Sequence, residues 1–292
     1  MKNLLQGAYD LHVHATPDVV PRRQDLAELA RAAARAGMAG ILLKSHVTPT
    51  SGRCYALNRL LPDGPRFFPA LALNPPLGGV NPLAVESFLR EGGRVVFMPT
   101  YGAANHIARW GAGKPPTAFP LAPGFAGLEL LDQAGGLKPE CRAVLELVAR
   151  KDAVLATGHV SPRESLALLQ AARQAGVRRL LVTHPSESVV AMSPEEQLQA
   201  VRLGAMIEHC FFAVTEACPE RISIEEIRDQ IRLVGTERVI LSSDFGQPGN
   251  PPAVEGFGHY LEALMKSGVK EDEIRQMIAH NPRRLLETAG GA

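Results

Sequence analysis

Eight short apolar runs, each followed by a stretch patterned as an amphipathic helix, set the tightest limit on how this chain can fold. The runs span residues 9–14, 40–46, 67–73, 94–99, 153–159, 180–184, 205–211 and 238–244. Helical patterns fill the intervals, among them 25–36, 82–91, 139–150, 162–175, 194–203 and 224–234. Continuous apolar runs alternating with helices describe parallel strands with helical crossovers. Eight such units in 292 residues predict an α/β fold, a single (β/α)8 TIM barrel domain over residues 1–292. An open doubly wound sheet is the alternative, but no G-x-G-x-x-G follows the first run.

Helix boundaries are written locally. Ser161-Pro162-Arg163-Glu164 and Ser193-Pro194-Glu195-Glu196 each offer a hydroxyl cap, a proline in the first turn and a glutamate three residues on. Ala36-Gly37 and Ala175-Gly176 read as helix stops. Two segments break the rhythm. Residues 101–136, after the fourth run, form a long Gly- and Pro-rich loop that reads as a lid or pocket wall. Residues 246–256 follow the eighth run in the same style.

Six runs end in ionisable residues: His12 and His14, Lys44 and His46, His159, His184, Glu208 with His209, and Asp244. In a barrel these C-terminal strand ends share one face, where active sites lie. Alternation puts His12 and His14 on one side of the first strand. One buried histidine at a strand end is ordinarily a hydrogen-bonded core residue; repetition at six ends points instead to a site for a divalent cation such as zinc. Only one of Glu208 and His209 can face inward, and Glu208 is the better partner for His12 and His14. His106, His259 and His280 lie away from the strand ends and read as surface or packing residues.

With H-x-H on the first strand, His on the fifth and sixth, Asp on the eighth, and H-N-P-R-R-L-L over 280–286, the chain resembles the amidohydrolase superfamily of metal-dependent barrel enzymes. The resemblance implies that His12, His14 and Asp244 bind a metal, and that His159 and His184 complete that site or form a second. It makes Asp244 the base that activates water, with His184 and Lys44 the other residues implied in the chemistry. Zinc is the implied ion, one and at most two per chain, with manganese or iron as alternatives. The fourth strand, V-V-F-M-P-T, lacks the Lys or Glu that bridges two metals in many members. Lys44 could supply the bridge if carboxylated, or bind a substrate carboxylate as an ammonium group, and Glu208 is a further candidate ligand.

Hydrolysis of a C–N or C–O bond in a small polar, anionic molecule is the implied reaction; a single-metal decarboxylase or hydratase is the lyase alternative. The stretch A-G-M-A-G-I-L-L-K-S-H-V-T, residues 36–48, also resembles a motif of the polymerase-and-histidinol-phosphatase family, which would make His46 a ligand and the enzyme a phosphoesterase. Arg22, Arg53, Tyr101 and Arg109, with Arg23 and Lys114, are the candidates for holding substrate, since guanidinium groups suit anions.

A net charge of +1 gives no reason to expect nucleic acid as a partner. No apolar run reaches the ~18 residues of a membrane span. Four scattered cysteines without C-x-x-C suit a reducing, cytoplasmic setting. The expected partner is a small molecule, with association into homo-oligomers left open.

Overall fold

The computed structural model describes residues 4–111 and 124–287. All eight expected strands are present: β1 (Tyr9–Val13), β2 (Gly40–Leu43), β3 (Arg66–Ala72), β4 (Val95–Phe97), β5 (Val154–Ala156), β6 (Arg179–Val182), β7 (Met206–Cys210) and β8 (Val239–Ser242). They stand side by side in chain order, and the ladders from β1–β2 through β6–β7 are parallel. Helices are interleaved with them. This is the (β/α)8 barrel that the alternation predicts. Most strands are buried at every position, as parallel strands covered on both faces must be.

The strands are shorter than the apolar runs that announce them. His14, Lys44, His46, His159, His184 and Asp244 all lie just past a strand end rather than in the strand. The backbone turns there: His184 and Asp244 adopt φ of +25° and +51°, which removes them from the ladder.

Local signals fix the helices. Asp25, Ser161, Ser193 and Ser223 each cap a helix and form a reciprocal pair with the glutamate three residues on; such a cap stabilises by about 0.5–2 kcal/mol. Gly37 and Gly176 follow their helices with φ of +68° and +83°, a conformation glycine adopts without a Cβ penalty.

By compactness the chain divides into two units. The first comprises Met1–Lys44, Thr50–Pro69 and Glu208–Ala292, the second Ser45–Pro49 and Ala70–Ile207. Within the first, Val13 bridges in parallel to Phe245, so β1 neighbours the end of β8. Phe211 stacks between Phe245 and Tyr260 at 5.3 and 4.9 Å, and Leu11, Leu29 and Leu42 are fully buried in the same unit. The second unit buries Phe88, Val96, Val144 and Leu168 around β4 and β5.

The expected lid over 101–136 falls partly outside the described residues, as does Lys114. Its first part is a helix, Ala104–Trp110. Asn105 Nδ2 donates to the carbonyls of His159 and Val189, and Trp110 Nε1 to Ser188 Oγ. Among the described residues no helix is long and apolar enough to cross a membrane.

Candidate metal centre

In the first unit, β1 carries His12 and delivers His14 one residue beyond its end. Nε2 of each ring lies 3.2 Å from Asp244 Oδ1. A tetrahedral ion with ~2.0–2.1 Å bonds separates its ligand atoms by roughly 3.3 Å, so the three side chains stand where such an ion requires them. All three are buried, with ligand atoms within 4.8 Å of one another. Burial drives the His12 and His14 pKa values well below the usual imidazole value, and Lys44 and Arg22 push both in the same direction. These shifts favour the neutral ring, the form that binds metal. The backbone is committed to this arrangement. Asp244 holds an unfavourable positive φ, of a kind that costs about 1–3 kcal/mol and gathers at functional sites. A Cβ on Gly246 would meet the His14 carbonyl oxygen at 2.4 Å.

Behind His12 stand residues that set its tautomer. Lys44, 1% exposed, brings Nζ to 2.8 Å from His12 Nε2. A lysine ammonium donates there, which places the ring hydrogen on Nδ1; the single Nε2 lone pair serves either Lys44 or an ion, so a bound ion would displace this contact. That hydrogen faces Glu208 Oε2 at 3.3 Å, and Ser242 Oγ donates to Glu208 Oε1 at 2.8 Å. Burial pushes the Glu208 carboxyl up, opposed by Ser242 and Lys44. Glu208, His12 and Cys210 form a second group that could hold an ion. Asp10 Oδ1 accepts from the backbone N–H groups of His12 and Ser243, and burial raises its pKa to about 7. His209 is also buried; burial lowers it to about 3.

The candidate substrate residues are scattered. Arg22 is paired with Asp18 through Nη2 at 2.7 Å and Nε at 2.8 Å, its side chain 4% exposed, with Nη2 3.4 Å from His14 Nδ1. It is a buried neighbour of the metal group rather than a loop residue open to solvent. The four-residue spacing D-V-V-P-R, 18–22, carried that signal. Arg53 is half-buried on the helix Ser51–Leu60. Arg109 is exposed and donates to the Ser188 carbonyl.

In the second unit, His159 and His184 bring their Nε2 atoms to 3.2 Å, again the spacing of two ligands on one ion. Gly158 precedes His159 at φ +66°, where a Cβ would lie 2.4 Å from the Met98 carbonyl oxygen. His184 Nδ1 meets Glu187 Oε2 at 3.3 Å, a partner three residues on that H-P-S-E spells out. His46 places Nδ1 2.8 Å from Thr100 Oγ1 and stacks on Tyr101 at 3.9 Å. It belongs to no three-residue metal group among the described residues.

Of the two readings that the sequence leaves for His106, surface or packing, the structure shows packing. His106 is a fully buried residue whose Nδ1 lies 2.8 Å from His159 Nδ1. Its only local signal was a short A-N-H-I-A-R-W helix inside a Gly/Pro-rich loop. His259 and His280 are exposed, as expected.

Replacing Lys44 by alanine separates its two roles. If Lys44 bridges metals, the Lys44→Ala protein will lose one equivalent of ion by elemental analysis; if it holds a carboxylate, metal content will stand and KM will rise.

The family model described as a family of unknown function, DUF6282, matches residues 7–208. No curated protein matches the chain. Solved structures share its fold at low identity. An amidohydrolase from Pseudomonas aeruginosa aligns at TM-score 0.65 and 14% identity, covering 97% of this chain and 96% of that one. An organophosphorus hydrolase variant from Deinococcus radiodurans aligns at 0.61 and 14%, covering 98% and 95%. A 2,6-dihydroxybenzoate decarboxylase from Rhizobium aligns at 0.56 and 14%, covering 96% and 98%. The resemblance to amidohydrolase-type barrels thus holds at the level of the fold.

Proposed function

We propose that this chain, which belongs to the DUF6282 family of unknown function, is a metal-dependent hydrolase of the amidohydrolase type. One observation carries the reading: two buried imidazoles and a carboxylate converge from β1 and the end of β8, with both Nε2–Oδ1 separations at 3.2 Å. His12, His14 and Asp244 would hold a divalent ion, zinc first, with manganese or iron as alternatives. His159 and His184 supply a further pair of ligands. When bound, such an ion lowers the pKa of water toward ~7 and polarises a carbonyl.

The side chains account for the rest of the chemistry. Asp244 accepts a proton from the attacking water and returns it to the leaving group, the work of a general base and then acid. Glu208 keeps the His12 hydrogen on Nδ1. Lys44 reaches the His12 nitrogen that would face the ion; with an ion on that nitrogen its ammonium would be released to meet a substrate carboxylate. Arg53, Tyr101 and Arg109 remain candidates for substrate contact, and Arg22 steadies His14.

That position of Lys44 also supports a second reading, a single-metal decarboxylase or hydratase, since an ammonium beside the ion can hold the carboxylate that reacts. The place of His46 beside Thr100 and Tyr101 gives the phosphoesterase reading little support. The partner is a small molecule, with neither nucleic acid nor membrane implied. Four buried, disulfide-free cysteines suit the cytoplasm.

The test is metal content by elemental analysis on protein purified without chelator, followed by a panel of N-acyl amides, lactones, phosphotriesters and aromatic carboxylates. About one equivalent of ion with turnover of amides or lactones is the expected result. Release of carbon dioxide would move the assignment to the lyase, and absence of ion after reconstitution would remove it.

A further inference from the structure

An imidazole presents Nε2 to a cation only if its hydrogen sits on Nδ1, and a neighbour that accepts this hydrogen fixes the ring. For His12 that neighbour is Glu208; at His184 the Glu187 carboxylate lies 3.3 Å from Nδ1, out of hydrogen-bond alignment. At Nδ1 of His159 the neighbour is another imidazole, His106 Nδ1 at 2.8 Å, with the two rings stacked at 5.0 Å and 22°. We propose that His106 is the positioning residue of His159, taking the Nδ1–H of His159 on its own Nδ1 so that His159 turns Nε2 to an ion. This rests on the reading of His159 and His184 as ligands.

The surroundings of His106 are built to hold it. Trp110 lies edge-on to its ring at 5.4 Å, and Tyr101 at 5.1 Å. The short helix that carries it is tied to the His159 and Val189 carbonyls through Asn105, and to Ser188 through Trp110. A carboxylate in its place would add another buried acidic group to a unit that already buries Glu164 and Glu187. An imidazole adds none, and it has a second property: it can accept or donate at the same nitrogen.

That second property has a use. Without an ion, the Nε2 atoms of His159 and His184, 3.2 Å apart, need one hydrogen between them. The nearby Glu187 carboxylate favours a hydrogen on His184 Nδ1 by its charge, and His159 then provides the shared one from Nε2. Its Nδ1 then accepts, and His106 donates. With an ion in place, the His159 hydrogen moves to Nδ1 and the His106 hydrogen to Nε2, each by exchange with water, and both rings remain neutral. A carboxylate could serve only the second state.

The test combines nitrogen-15 NMR of the imidazoles, with and without zinc, and zinc affinity measured against a chromophoric chelator. Zinc should move the His159 hydrogen from Nε2 to Nδ1 in the unaltered protein. His106→Leu should weaken zinc binding by about 10–100-fold, the usual cost of losing a residue that orients a ligand. His106→Gln, whose amide can also accept or donate, should recover most of that loss, while the two variants melt alike without metal. A hydrogen on His159 Nε2 in the zinc form overturns the proposal. So does wild-type affinity in His106→Leu, provided that His12→Ala with His14→Ala loses zinc. If the unaltered protein takes no zinc, the metal reading fails and this proposal with it.

Discussion

Protein carrying His12→Ala together with His14→Ala will retain no divalent ion after dialysis, whereas the unaltered chain retains about one equivalent. The two rings supply both nitrogen ligands of the group around Asp244. Their loss should cost far more than the ~10–100-fold in affinity that follows removal of a mere supporting residue. A structural cost comes with it. His12 lies between the ammonium of Lys44 and the carboxylate of Glu208, all buried. Removing the ring leaves the buried Lys44 and Glu208 side chains without the group that each one faces, and a buried polar group left unsatisfied costs about 1–3 kcal/mol. A melt must therefore accompany the metal analysis. His14→Asn alone guards against unfolding, because it leaves the Lys44–His12–Glu208 line untouched; it should fold and still lose most of the ion. A folded double variant with wild-type metal content would remove the assignment of the centre.

The fold was legible because its signals are local. Apolar runs and capping boxes occur within a few residues of the elements they define, and Asp25, Ser161, Ser193 and Ser223 cap the helices they precede. The ends of the strands were not legible to the residue. His184 and Asp244 leave the ladder through positive φ, a strained turn that apolar periodicity cannot express. The ligand set was legible from strand-end placement, but its support was not. Alternation assigned Glu208 inward and left His209 outside, yet His209 is buried as well, its carbonyl accepting from Tyr260. The contact of His106 with His159 was not legible, because nothing in a seven-residue helix says that Asn105 and Trp110 will anchor it there. Arg22 and Glu187 each had a partner written nearby, at Asp18 and His184, and pattern reading alone gave those spacings no weight.

Asp244→Asn should abolish turnover while sparing the fold, and the backbone makes asparagine the informative choice. Asp244 sits at φ +51°, a region that asparagine tolerates nearly as well as aspartate and that bulkier or branched residues resist. The change keeps the volume and one oxygen within reach of both Nε2 atoms, so some ion should remain bound. What it removes is an oxygen able to take a proton. General-base catalysis contributes about 10²–10⁴-fold, so turnover of the substrate class found in the panel should fall by at least ~10²-fold, with the melting temperature little changed. Reconstituting the variant at saturating zinc separates the two causes of inactivity. If activity returns in full at high zinc, Asp244 serves only as a ligand. If the loss persists with the ion bound, the carboxylate carries the proton. Full activity without added zinc would exclude Asp244 from both roles and would leave His12 and His14 without the residue that makes them a catalytic centre.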